Sequence, residues 1–515
     1  MVKLYMDLTG STESRARSVF MYACDRDGSE CSVSSHQEPR LTQTTTAPAS
    51  SAKQKLRTVV LLILALAFAT MALQQAYAEP SISATNSYLN RPLSLADVIN
   101  IALHQNPNVL RAQRDVESAE GVAVQTRAIV IPKVQATGSY TAVAEGDVDI
   151  ITIPAQPGVP ASTFGNSQNW SSQIKLVQSL YEGGRIMSSL RAARLTKERS
   201  MLDYQTVVAD AVRDVELTYY DVLLAEQQIK VEEASVELLQ NELTDTTRRF
   251  DAGTVARFNV LRAEVELANE RPRLIQAQNS FRVGKATLAN LLGINQPMGT
   301  TVDVPLSLSG KLEAIPFHLN LEQSLAAALQ QRSELGALRK AEALRREDII
   351  NAKSGYKPSV QAYGGYDGHN TQLSMDLGDV DHGWITGVQV SWNIFDGLAT
   401  KGRIMQATAQ HERAIVDLDD TARRVELEVR VAWSDFIKAD ETLKSQEKVV
   451  EEAEEALRLA SARSDAGTGT QLDVLSAQTA LTQARTTQVQ ALHDFAAARA
   501  RLERAVGVNV PARAG

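Results

Sequence analysis

Apolar positions recur along this chain with two different periods, and the periods alternate. Residues 185–249 contain neither proline nor glycine, and Val208, Ala211, Val215, Tyr219, Val222 and Ile229 form an apolar stripe at helical spacing. This predicts a single helix over 185–249, about 98 Å long at roughly 1.5 Å per residue. A rod of that length cannot bury its stripe inside a globule, so it needs neighbouring rods. A second long helix is expected over 399–463, where Ala422, Val425, Val429, Trp433, Phe436 and Leu443 repeat the stripe. Shorter helices are expected over 95–131, 257–291, 320–356 and 471–505. Between the helices the period falls to two. In 169–180, Trp170, Ile174 and Leu176 alternate with Ser171, Gln173 and Lys175; in 383–395, Trp384, Val388, Val390, Trp392 and Ile394 alternate with Gln389, Ser391 and Asn393. With 134–144 and 359–367, these segments make four predicted strands.

The pattern occurs twice because the chain is duplicated. An offset of 226 carries Leu93, Leu95, Ala102 and Leu103 onto Leu319, Leu321, Ala328 and Leu329, and Pro132, Val134, Gln135, Gly138 and Tyr140 onto Pro358, Val360, Gln361, Gly364 and Tyr366. Beyond that point the offset becomes 214. It then carries Asp251-Ala252-Gly253-Thr254 onto Asp465-Ala466-Gly467-Thr468, Val260-Leu261 onto Val474-Leu475, and Gly293 onto Gly507. A repeat of this order and spacing sets the fold class. We expect a first repeat over 79–293, a linker over 294–318, a second repeat over 319–507 and a tail over 508–515. Asn106-Pro107 marks a junction. Pro272 interrupts the first returning helix where the second has Thr486, which predicts a kink in the first.

Composition narrows the function. Lys53, Lys55 and Arg57 precede an apolar run from Val59 to Leu73, and Ala76-Tyr77-Ala78 provides a small-x-small cleavage site, so 1–78 reads as an export leader. Both cysteines, Cys24 and Cys31, fall within it, so no disulfide or cysteine metal site is expected in the mature chain. The leader takes 8 of the 53 basic and 6 of the 61 acidic residues, leaving 45 against 55, a net charge of −10. An acidic chain without a basic stripe argues against a nucleic-acid partner. Only 5% of residues are aromatic while 44% are hydrophobic, which suits thin helices over a thick core. No apolar run in the mature part reaches the roughly 20 residues of a membrane helix. If the chain crosses a membrane, it does so as strands. Alternating strands of about ten residues with aromatic ends fit an outer-membrane barrel, and an ordinary half-buried soluble sheet fits the alternation equally. Four strands cannot close a barrel, and open edges are not tolerated in lipid. Several chains would have to contribute; three copies give about 12 strands.

The mature chain resembles the TolC-like outer-membrane efflux factors. Three motifs carry the likeness, each present twice: Pro-x-Val-x-x-x-Gly-x-Tyr from Pro132 and Pro358, Leu-Tyr-Glu-Gly-Gly or Ile-Phe-Asp-Gly from Leu180 and Ile394, and the tip glycine, Gly253 or Gly467, followed by Val-Leu-x-Ala at Val260 and Val474. The resemblance implies a mainly α fold with a membrane β part. It implies a homotrimer whose long α-barrel hangs from a 12-stranded β-barrel in the Gram-negative outer membrane into the periplasm. It also implies service as the exit duct of a tripartite efflux or type I secretion system, joined to an inner-membrane pump through a periplasmic adaptor. Trp170, Trp384 and Trp392 would sit at the membrane interface, and Gly253 and Gly467 would be the adaptor contacts. Asp473 matches a family aspartate at the periplasmic aperture, where three copies would form an acidic ring; the same residue also suits a helix N-cap. The position of the family's second aspartate is Ser476, and those of its tyrosine and arginine latch are Ser464 and Gly469. This departure predicts a differently secured closed state.

No catalytic constellation is present: the sequence has no phosphate-cradling loop, metalloprotease pair or nucleophile motif, so neither enzyme activity nor a cofactor is expected. In the acidic stretch 367–382, the spacing of Asp367, His369, Asp376, Asp379, Asp381 and His382 is irregular, which favours a solvated loop over a divalent-cation site. Tyr219, Tyr220 and Trp433 read as packing residues. The competing reading is a soluble periplasmic coiled-coil adaptor, and the duplicated alternating strands count against it.

Overall fold

The computed structural model describes residues 91–144, 151–155, 157, 162–164, 167–294, 303–314, 320–370 and 380–507. The chain divides into two compact units, Met1–Thr85 and Asn86–Gly515, and every described helix and strand belongs to the second. The predicted leader and tail, parts of the predicted linker, and Asp376 and Asp379 lie outside the described residues.

Helices α1 (Leu95–Gln105) and α2 (Pro107–Arg127) lead into β1 (Lys133–Ala142); two short strands, β2 (Ile151–Ile153) and β3 (Ser162–Phe164), precede β4 (Gln168–Glu182). The long α3 (Arg185–Asp251) and the returning α4 (Arg257–Leu291) complete the first half. The second half runs through α5 (Leu321–Gln331), α6 (Ser333–Lys353), β5 (Ser359–Asn370), β6 (Val380–Ser391), α7 (Ala399–Asp465) and α8 (Gln471–Val506).

The structure differs from the periodicity in three places. The helix expected over 95–131 is two helices, because Asn106 leaves helical geometry and its side-chain oxygen accepts the N–H groups of Asn108 and Val109, with Pro107 at the first helical position. The helix expected over 320–356 breaks likewise at Arg332, the residue 226 positions on, and ends in a 3-10 turn, Ser354–Tyr356. The strand expected over 383–395 is displaced to 380–391: its ladder to β5 ends at Ser359 opposite Ser391, beyond which Pro358 has no N–H to offer. Trp392 and Ile394 therefore fall past the strand. At Pro272, α4 continues as one helix from Arg257 to Leu291.

Packing explains why quasi-equivalent helices are buried differently. α3 packs against α1, α2, α4, α6 and α8, whereas α7 packs against α5, α6 and α8, and α4 packs chiefly against α3. The stripe of α3 is accordingly covered, with Val215 and Val222 fully buried and Tyr219 nearly so. α7 leaves Met405, Val416, Leu427 and Val431 exposed, and α4 leaves Phe258, Val265 and Ile275 exposed. Two apolar clusters anchor the halves. One gathers Leu93, Val98, Ile101, Tyr219, Leu288 and Leu292 where α1 meets α3 and α4; the other gathers Ala328, Leu335, Val429, Phe436, Phe495 and Leu502 where α5 and α6 meet α7 and α8.

The larger sheet has the order β1-β4-β5-β6, antiparallel throughout. The register places Val134 opposite Leu176, Ala136 opposite Ile174, Ile174 opposite Tyr366, and Tyr366 opposite Trp384. One face is thus apolar, and Val134, Ile174, Trp384, Val388 and Val390 are exposed on it. The other face carries Gln135, Lys175, Gln173, Asp367, Gln361 and Gln389. Strands β1 and β6 end the order, so each leaves one edge unpaired among the described residues.

Candidate functional site

Each long helix ends in a turn that the Asp-Ala-Gly-Thr sequence builds. Gly253 and Gly467 adopt φ of 75° and 71°, the left-handed region that closes a helix C-terminus. The N–H of Gly253 donates to Phe250 and that of Thr254 to Arg249; in the second turn Gly467 donates to Ser464, and both Thr468 and Gly469 donate to Arg463. A side chain built on either tip glycine would meet nothing within 4 Å, so both tips are open to whatever approaches them. Gly469 is different: a Cβ there would lie 3.0 Å from both the Arg463 Cβ and the Ser464 backbone nitrogen. A side chain at that position would require the turn to give way by a few tenths of an ångström.

Asp473 occupies the third position of α8 and forms a reciprocal box with Thr470. Its carboxylate accepts the Thr470 N–H at 2.9 Å and hydroxyl at 2.8 Å, while its own N–H lies 3.2 Å from the Thr470 oxygen. The cap residue is Thr470, not Asp473. Those bonds, the backbone one foremost and then the hydroxyl, with Arg463 adding attraction, hold the Asp473 carboxyl below the usual aspartate value. The first half lacks this box: Ala256 precedes α4 without a side-chain cap. The structure therefore brings Ser464, Gly469 and Asp473 into one turn, whereas Ser476 is exposed one helical turn further on.

The contacts joining the two tips were not legible as a motif. Arg249, at the end of α3, donates to Asp465 at 2.6 Å across the tips, and the Gln471 amide donates to Thr246 at 2.7 Å and to Glu242 at 3.2 Å. Above them, Thr482 meets Ser235 at 3.1 Å, His493 meets Asp221 at 2.8 Å, and Arg504 meets Asp210 at 2.9 Å. All these pairs but the tip-to-tip one join α8 to α3, and the α8 members stand eleven residues apart at 471, 482, 493 and 504. They form a polar ladder along the seam between the halves. Subtracting 214 gives Arg257, Ala268, Asn279 and Asn290, so the ladder is not part of the duplicated pattern. The eleven-residue recurrence of polar types on an otherwise apolar face was the available signal.

The aromatic residues sit as follows. Trp384 is 81% exposed and stacks edge-on with Tyr366 at 5.3 Å, Trp170 pairs across the ladder with Tyr140, and Trp392 donates its indole N–H to the Tyr356 carbonyl at 3.1 Å. Tyr219 is buried with its hydroxyl 3.4 Å from the Leu93 carbonyl. His369 lies 3.6 Å from Asp367, and the described residues contain no group of three or more metal-ligating side chains. No described helix is long and apolar enough to cross a membrane.

Known proteins share this architecture. A family model described as outer membrane efflux protein matches residues 98–294 and 325–508. The chain is 23% identical over 417 residues to the outer membrane protein TolC of Vibrio cholerae, covering 80% of this chain and 90% of that one. It is 25% identical over 400 residues to the cobalt-zinc-cadmium resistance protein CzcC of Cupriavidus metallidurans, covering 76% and 85%. Its fold is similar to that of the CmeC outer membrane channel of Campylobacter jejuni, with a TM-score of 0.68 and 16% identity over 80% of this chain and 85% of that one.

Proposed function

The chain belongs to the outer membrane efflux protein family and is an outer-membrane exit duct, and from that premise we propose that three copies close into one continuous wall. The observation that carries this reading is the pair of free edges. Strands β1 and β6 run in opposite senses, so β6 of one copy can take β1 of the next and keep the sheet antiparallel around the ring. The helices end the same way. The offset of 214 that maps α3 onto α7 also maps α4 onto α8, so α7 and α4 are the counterparts of α3 and α8, and the seam between α3 and α8 within a chain has its counterpart between α7 of one copy and α4 of the next. Both of those helices expose apolar side chains. A head-to-tail contact of this kind generates a closed ring. The apolar face of the sheet would then meet lipid and the polar face the lumen, with Trp170, Trp384 and Trp392 toward the interfaces.

In this reading residues 79–293 and 319–507 are the two repeats and 294–318 joins them. The tips at Gly253 and Gly467 would receive a periplasmic adaptor that brings an inner-membrane pump into line. Asp473 would contribute to an acidic ring at the aperture. The closed state would be secured by Arg249–Asp465 and by Gln471 with Thr246 and Glu242, in place of a tyrosine and arginine latch. The duct does no chemistry; its wall and its one constriction do the work.

Reconstitution of the full chain in a planar bilayer tests the reading. Heat-modifiable trimeric migration and a cation-selective conductance are expected, with Asp473→Ala lowering the selectivity while the trimer still forms. Unchanged selectivity in that variant removes Asp473 from the aperture, and a water-soluble monomer removes the duct.

A further inference from the structure

One rung of the ladder differs in kind from the rest. His493 is 8% exposed and lies between two carboxylates: Nε2 is 2.8 Å from Oδ1 of Asp221 on α3, and Nδ1 is 3.0 Å from Oδ1 of Asp494 on its own helix. A neutral imidazole has one N–H and one lone pair. In that state one of the two nitrogens would turn its lone pair toward a carboxylate oxygen, so both contacts are satisfied only by the doubly protonated ring.

We propose that His493 is a proton-operated clamp in the seam between α3 and α8, closing the two halves of the chain on each other when the ring is charged and loosening them when it is neutral. The surroundings leave this role to few groups. The charged side chains acting on the ring are Asp221 from α3 and Asp494 from α8. Gln490 donates to Asp494 at 2.8 Å and stands 3.5 Å from the ring. From α4, the uncharged Asn279, Ser280 and Gly284 border the groove that Asp221 also lines, and Lys285 is held by Asp303 at 3.1 Å. From α7, Phe436 packs on Phe495 two residues along. Burial opposes the charge, but the hydrogen bonds to Asp221 and then Asp494 outweigh it and set the pKa of His493 above the usual histidine value. A raised folded-state pKa adds stability that is complete below the ordinary value near 6.5 and disappears as pH rises through the raised one.

Among the described side-chain bonds from α8 to α3, His493 supplies the one imidazole: the other rungs are an amide with a hydroxyl and a carboxylate, two hydroxyls, and an arginine with a carboxylate. The quasi-equivalent of His493 is Asn279, so the clamp acts within each chain and not between copies. It lies about 33 Å along α8 from Gln471, at roughly 1.5 Å per residue. For its consequence at the tips, the proposal rests on the duct reading; the clamp itself does not.

Amide hydrogen exchange on the assembled full chain, corrected for the intrinsic pH dependence of exchange, tests it in peptides spanning 215–228 and 487–500. Between about pH 6 and about pH 8 the wild type is expected to lose about tenfold in protection. His493→Gln and Asp221→Asn are each expected to flatten that ratio to within about twofold. Asp221 is exposed, so its variant carries the test if His493→Gln fails to assemble. The same pH ratio in wild type and variants overturns the clamp, and it leaves the duct untouched, because exchange needs no open channel.

Discussion

Asn106 and Arg332 occupy the same place in the two halves and do the same job with different chemistry. The Asn106 amide donates to the Leu291 carbonyl at 2.8 Å, and the Arg332 guanidinium donates to the Ala505 carbonyl at 3.4 Å, the residue 214 positions on. Each ties the start of one helix to the end of another, where carbonyls lack partners within their own helix. Arg332 is 4% exposed and also bonds Glu334 and Glu428. Replacing it by alanine leaves Glu334 with Arg504 and Glu428 half-exposed, but takes the guanidinium from the Ala505 carbonyl. We expect Arg332→Ala to destabilise the chain by about 1–3 kcal/mol, read as a fall in the unfolding midpoint. The asparagine-proline pair was legible as a junction because its capping chemistry is familiar. Arginine is not a capping type, so the sequence carries no sign of the equivalent junction, which only its carbonyl partner reveals. Leu398 was hidden for a similar reason. It takes φ of 71° at the start of α7, where the first half uses Gly184 at 97°, and nothing in the sequence announces a leucine in that conformation.

The long helices were the most legible elements: 185–249 contains neither proline nor glycine, and 399–463, interrupted by Gly402 alone, repeats its apolar stripe. Their neighbours were not legible. The stripes of α3 and α7 match residue for residue and both are covered, but α7 also exposes Leu427 and Val431 off its stripe, which the stripe's periodicity does not record. Strand ends failed for a related reason. Alternation continues through Ile394, but a ladder extends only as far as its partner, and β5 begins at Ser359. Pro272 is exposed and α4 runs past it unbroken, so the helix tolerates the missing N–H without dividing. In an exposed helix interior that residue opposes helix formation, and Pro272→Ala is expected to stabilise α4 by up to about 3 kcal/mol. A raised unfolding midpoint would bear this out, and no change would mean that the helix already accommodates the proline without cost.

For the molecule as a whole, the uncovered faces define where copies of the chain should meet. Leu427 and Val431 stand exposed one turn apart on α7, at the edge proposed to receive α4 of the next copy. Placing a glutamate at both positions sets two charges against that contact without disturbing any buried side chain. The assembled form should give way to monomer on native gels, with helix content retained in circular dichroism. Persistence of the trimer would place the subunit boundary on another face. The seam inside each chain has a further consequence. Eleven residues make three turns of helix, so its rungs mark off length as a ruler does. Excising eleven residues from every long helix would shorten the reach across the periplasmic gap by about 16 Å and return each rung to its own azimuth. A single inserted residue would rotate everything beyond it by about 100° and put every later rung out of phase. Ducts built on this seam can therefore vary in length only in whole graduations.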